Sequence, residues 1–294
     1  VLLEAENPPI LHIVDPFAGT STAHELPIRE GLLSMSPNGV LVAVSSRPGS
    51  GAAIVVLNVF SGEIVDVIND RSPVESHDAV VFDDGSVLTS PRVAFDPLVL
   101  YRGGERTELL AVPGGMSLAL DPLGRVLFGI VDGQGLFSFP LIDGRPTTPA
   151  VRPEAGIEIL PCTELFTSEG GAFVFNNCKF GWSIGDDGAP TNSPYFGDEG
   201  GLAWRSASYS VEARAFATVE PDSKDYPGIG HTVLVRDDRT TNGATLLIPP
   251  IANGSPEPQG RFAFFSASGL LVVVVSVLGV DFADQIGVVV LPAP

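Results

Sequence analysis

This chain reads as an all-β fold made of a repeated four-stranded antiparallel unit, and three observations predict it. Residues 31–68, GLLSMSPNGVLVAVSSRPGSGAAIVVLNVFSGEIVDVI, hold four short apolar runs rich in β-branched residues and separated by Gly-containing turns. The first turn of that unit, SPNG, returns at a similar phase from Gly39 to Gly269, at intervals of about 46 residues. The 33 Gly and 26 Pro coexist with 44% hydrophobic residues, which suits many short strands joined by turns and argues against disorder. No stretch sustains an apolar period of 3.6 with caps, so little helix is expected. One meander cannot bury both of its faces, whereas copies stacked face to face can, and the predicted architecture is therefore a β-propeller. Stacking also accounts for runs that do not alternate, such as LVVVV at 271–275. A pair of β-sandwich domains is the competing all-β reading, but sandwiches rarely repeat a turn phase this often.

Taken in order, residues 10–15 and 24–28 flank PFAGTST and look like the second half of a unit. The full unit 31–68 follows. The next spans 79–112, with turns at Asp83-Asp84-Gly85 and Gly103-Gly104, and a third spans 116–149 with Asp121-Pro122-Leu123-Gly124 as its first turn. A fourth covers 157–190, running into the polar loop GDDGAPTNSPYFGDEGG at 185–201. A fifth covers 202–248, with strands at 202–206, 213–219, 232–236 and 244–248, and SASYSVEA where the Gly turn is expected. The sixth covers 261–291. Six blades in one domain over 1–294 are expected, with residues 10–28 helping to close the ring; seven is the alternative. Residues 263–282 are long enough to cross a bilayer, but their valine content and the Ser268-Gly269 turn read as two buried strands, so no transmembrane segment is expected.

SPNG followed by VLVAVSS, and IVVLNVFSGEIVDVI echoed by ILHIVDPFAGTSTAHELPI, resemble bacterial propellers of the YVTN and TolB-like, WD-repeat-like kind. The Trp-Asp dipeptide of WD repeats is absent. The resemblance covers most of the chain and implies an interaction scaffold more often than an enzyme.

The chain has 35 acidic and 16 basic residues, a net charge of −19, which repels nucleic-acid phosphates and anionic lipid. A soluble protein, a cation-binding surface or a basic protein partner fits that charge. Cys162 and Cys178 lie 16 residues apart and symmetric about Gly170, the centre of a proposed hairpin turn. In that register they face one another within disulfide range, which points to an oxidising, extracytoplasmic compartment. A two-Cys zinc site is the weaker reading because no His lies near either. The chain begins at Val1, so a leader removed before that residue is one expectation.

His12, His24, His77 and His231 show no metal-ligand spacing, and no hydrolase elbow, Walker loop or dinucleotide fingerprint is present. Ser183 to Gly188 approaches a sialidase Asp-box with the wrong spacing, and Asn253-Gly254-Ser255 fits a glycosylation acceptor. The remaining lead is an asymmetry between faces. Loops 69–78, 185–201, 220–231 and 279–285 are long and fall on the side of the blade-to-blade connections, whereas the opposite side has tight Gly turns with few side chains to offer. The long loops carry the candidate binding residues Asp70, His77, Asp186, Asp187, Tyr195, Asp198, Asp222, Asp225, Tyr226 and His231. Converging carboxylates there would suit Ca²⁺, although Asp is also simply a turn former and no Asp-x-Asp-x-Asp loop occurs. No cofactor is otherwise expected.

Three functions are consistent with these features: a non-catalytic, exported propeller binding a protein or ligand through its long-loop face; a metal-dependent propeller hydrolase or lactonase with carboxylates at the channel mouth; and a structural subunit of an extracytoplasmic assembly. The enzyme needs acidic, Asn or His side chains at the starts of the innermost strands. Those starts are expected at Gly31, Ala79, Gly115 and Leu202, which argues against it.

Overall fold

The computed structural model describes residues 2–4, 8–15, 17–28, 31–46, 53–69, 76–131, 134–152, 165–168, 173–176, 181–185, 187–192, 206–210, 215–221, 231–237, 243–246, 259–265, 270–278 and 284–291, and these contain strands and turns but no helix. The chain divides into two compact units, one of residues 1–165 with 185–190, the other of 166–184 with 191–294.

The first unit begins with a sheet of β1 (Leu2–Glu4), β2 (Ile10–Asp15) and β3 (Thr20–Glu25). Next come β4 (Gly31–Met35), β5 (Leu41–Ser46), β6 (Ala53–Asn58) and β7 (Ile64–Asn69), each paired antiparallel with the one before it. The third sheet runs β8 (Ser76–Val81), β9 (Val87–Pro91), β10 (Pro97–Arg102) and β11 (Glu105–Ala111). The fourth has β12 (Ser117–Leu120), β13 (Val126–Val131) and β14 (Gly135–Ile142), with its outer edge divided between β15 (Arg145–Pro146) and β16 (Ala150–Arg152). The first strands lie side by side, β8 against β4 and against β12.

Both faces of the middle strands are buried, each against a different sheet. On β5, Val42 and Val44 join Leu11 of β2 and Leu26 and Ile28 just beyond β3, while Leu41 and Ala43 join Ala79, Val81 and Val87 of the sheet after. On β8, Val80 turns the other way, into a core with Leu88, Met116, Leu127 and Phe139. This is why LVAV and AIVVL are continuous apolar runs: alternate residues serve successive inter-sheet cores.

A further sheet is ordered β17 (Leu165–Thr167), β18 (Phe173–Asn176), β19 (Gly181–Ile184), β20 (Pro190–Asn192). In the second unit β21 (Ser206–Ser210), β22 (Ala215–Pro221), β23 (His231–Asp237) and β24 (Gly243–Leu246) form a four-stranded meander, followed by a three-stranded sheet of β25 (Gln259–Phe265), β26 (Leu271–Leu278) and β27 (Asp284–Leu291). Strand β21 again lies against the next first strand, β25. The apolar stretch 263–282 is therefore two antiparallel strands, β25 and β26, over its described residues, and no helix among the described residues is long and apolar enough to cross a membrane.

The N-terminal strands form a three-stranded sheet, and seven sheets occur among the described residues. Three boundaries differ from expectation. SASYS is strand β21 itself, not the turn after a strand at 202–206; its Ser/Ala-rich sequence carries little hydrophobic signal. The polar run 185–201 is interrupted by β20, because Pro190 sits at a strand's first position, where no ladder donor is needed. Strands β8, β22, β23 and β27 reach further into the expected long loops than their hydrophobicity suggests, taking in Ser76 to Asp78, Glu220, His231 and Asp284.

Candidate functional site

The innermost position of a blade leaves one edge of its first strand without a partner strand, and its backbone donors must be satisfied otherwise. On β8 a side chain does this. Asp78 Oδ1 accepts the Ala79 amide at 2.8 Å, and Oδ2 accepts the Leu118 amide of β12, also at 2.8 Å. The carboxylate is thus a rung between first strands of consecutive sheets. Ser90 Oγ adds a second tie by donating to the Met116 carbonyl at 2.6 Å. Burial pushes the Asp78 carboxyl up to about 6, opposed by the two amide hydrogen bonds. Beside it, His77 is held below its ordinary value by burial and by the Arg92 guanidinium.

Arg92 opens the connection from β9 to β10, residues 92–96, which sequence analysis did not single out. Here the backbone is tied to the link between sheets: the Phe95 amide donates to the Val112 carbonyl at 2.9 Å, Val112 donates to Asp96 at 3.1 Å, and Gly115 donates to Pro91 at 3.0 Å. Gly114 packs so closely that a Cβ on it would run into the backbone of Val93 and Ala94. Phe95 sits in the left-handed region at φ 69° and is 85% exposed; Val93 is 58% exposed. A bulky aromatic held at positive φ with its ring in solvent is a strained arrangement that the surrounding hydrogen bonds maintain. The available sequence signal was slight: RVAFD is a loop whose apolar side chains, Val93, Ala94 and Phe95, are exposed.

Of the predicted site residues, three lie within the described residues. His77 lies on β8, one residue before Asp78. His231 opens β23, paired with Pro221. Asp187 is a turn former between β19 and β20: its Oδ1 accepts the Ala189 amide at 3.0 Å, and Gly188 follows at φ 77°. That hairpin joins the third and fourth strands, so Asp187 belongs with the tight turns and not with the long loops. Asp70, Asp186, Tyr195, Asp198, Asp222, Asp225 and Tyr226 lie outside the described residues, as do Cys162 and Cys178. Among the described residues no three His, Cys, Asp or Glu side chains come together as a metal would require.

Two expectations about the faces need correction. The first strands do not all start on small or apolar residues, since β8 opens Ser76-His77-Asp78. The tight turns are not bare either: Phe17, Phe60, Leu123 and Ile142 stand exposed on them or at the strand end beside one. Phe17 and Phe60 occupy equivalent turns, where Asp15 Oδ1 and Asn58 Oδ1 accept the following amides.

No protein-family model and no curated protein matches the sequence. Among solved structures, the chain is similar to the Myceliophteria thermophila Cps50 (Swd1) β-propeller domain, with a TM-score of 0.58 at 14% identity, over 98% of this chain and 94% of that one. It is also similar to Kuenenia stuttgartiensis hydrazine synthase, with a TM-score of 0.55 at 12% identity, over 87% of this chain and 78% of that one. At these identities the likeness concerns the fold, which is a WD-like β-propeller.

Proposed function

We propose that this protein is a non-catalytic binding propeller that captures a protein partner through the side carrying residues 92–96. The observation that carries this is Phe95, an exposed aromatic clamped at positive φ by Val112 and Gly114. An exposed aromatic on a backbone already held in place, with exposed Val93 on the same loop, has the character of an interface anchor, and the fixed loop lowers the entropic cost of association. The Swd1 β-propeller domain shares the fold.

Asn accepts the left-handed region readily, so Phe95→Asn separates function from folding. The variant is expected to keep or slightly raise the urea midpoint while losing partners captured from a native extract, with Leu123→Asn as a control that retains them. Capture unchanged by Phe95→Asn would place the binding surface elsewhere.

The reading includes export from a bacterial cell and a Cys162–Cys178 disulfide, supported by their spacing alone. Mass spectrometry after alkylation with and without reductant is expected to show two thiols only after reduction. Two alkylated thiols in the unreduced protein would remove the case for an oxidising compartment.

A further inference from the structure

The outer strand of a blade exposes unpaired backbone groups, and proteins usually guard such edges with charge, proline, bulges or interruption. Most outer strands described here follow that rule. β3 is TSTAHE. β11 carries Glu105, Arg106 and Glu108, and its pairing with β10 is bulged between Pro97 and Val99. The edge of the fourth sheet is split and contains Pro146, and β20 opens on Pro190.

Strand β7, IVDVIN, is bulged where it pairs with β6, between Val56 and Leu57, but it has no Pro and is mostly apolar. Ile64, Val65 and Val67 are 46%, 55% and 39% exposed, and Phe60 in the turn leading into it is 81% exposed. The only charged side chain on the strand is Asp66, whose Oδ1 accepts the Val67 amide at 2.8 Å. An apolar, six-residue edge of this kind is a template for a further strand.

The geometry points to β7 as the docking edge for an extended segment of a partner protein, with alternating apolar and basic residues, that adds to this sheet as a fifth strand. Charge selects the occupant. Exposed Glu63 and Asp66 flank the apolar residues, and the chain carries −19 overall. A second copy pairing β7 with β7 would bring these carboxylates together, whereas Lys or Arg would pair with them. A basic residue opposite Asp66 also competes for its carboxylate and releases the Val67 amide for the new ladder. This edge is separate from residues 92–96, so either proposal can fail without the other.

The test uses the full chain and a fluorescent eight-residue peptide of alternating Val and Lys, alongside the same peptide N-methylated at alternate amides and a Val–Glu counterpart. Binding of the Val–Lys peptide is expected, with hydrogen exchange slowed in residues 64–69. N-methylation, replacement of Lys by Glu, and Val65→Lys are each expected to weaken binding at least tenfold. A Glu105→Gln/Glu108→Gln variant is expected to bind as the parent does, which separates edge pairing from general attraction to an acidic protein. Equal binding of the N-methylated peptide, protection outside residues 64–69, or no binding of the Val–Lys peptide overturns the proposal. So does a dimer in sedimentation that protects β7 without peptide, in favour of a second copy. The N-methylated comparison needs no variant and decides the matter even if Val65→Lys fails to fold.

Discussion

Asp78 shows how one side chain can tie the first strands of consecutive sheets together. Its two oxygens satisfy amides on β8 and β12, which stabilises the ionised form, yet burial is the larger effect and the carboxyl rises to about 6 from 3.8. Between those values the folded chain holds a proton that the unfolded chain has released, so this residue's contribution falls as pH rises through the window. A shift of about 2 units corresponds to at most about 3 kcal/mol, reduced by whatever solvent reaches the carboxylate. His77 acts in the opposite sense, because its depressed value makes folding less favourable as pH falls below 6.5. Urea unfolding of the parent and Asp78→Asn at pH 4 and pH 7 isolates the first effect. The parent is expected to lose stability relative to the variant on going to pH 7, and parallel pH profiles would contradict it. The sequence places Asp78 at the end of loop 69–78 and not on a strand, since nothing local in SHDAVV distinguishes a strand opening from a loop end.

At the scale of the element, the glycines of the turns serve two ends. Gly62 at φ 71° packs against the ring of His24, and Gly144 at φ 70° against Arg102, each a side chain of the preceding sheet. Positive φ explains why glycine is favoured in both hairpins, and at Gly62 the close approach of the His24 ring also leaves little room for a side chain. Gly114 belongs to neither a hairpin nor a positive-φ position; proximity alone selects it. Gly114→Ala is expected to displace residues 92–96, lower stability by about 1–3 kcal/mol, and weaken partner capture although Phe95 is intact. Urea titration and capture measured together check this. Loss of stability with full capture would mean that the loop's position does not matter to binding. The repeating turns were legible from Ser36-Pro37-Asn38-Gly39 and its counterparts, whereas Gly114 was not, because its role depends on backbone brought in from 92–94.

For the whole molecule, charge and packing act on different quantities. The inter-sheet cores come from alternate residues of strands such as β5 and β6, and they are nearly free of charge. The net charge of −19 lies outside them and opposes compaction by self-repulsion. Exposed pairs such as Arg102–Asp84 at 3.1 Å return little of that. Raising salt from 10 to 150 mM shortens the screening length from about 30 to about 8 Å. The melting temperature is therefore expected to rise over that range, and a flat or falling one would show that repulsion is not a significant cost.

The sequence by itself determined the strand-and-turn repeat, the absence of sustained helical periodicity and the two-faced burial of strands such as β5, because each depends on residues near one another in the chain. Strand ends were less legible where polar residues carry the ladder, as in Ser206 to Ser210 and Ser76 to Asp78. Only the tertiary structure decided that Asp78 reaches Leu118, that Gly114 locks residues 92–96, and that β7 is an exposed apolar edge whereas β11 is a charged one. Those facts are pairings between segments up to 40 residues apart, or the lack of a neighbour at an edge, and local pattern contains neither.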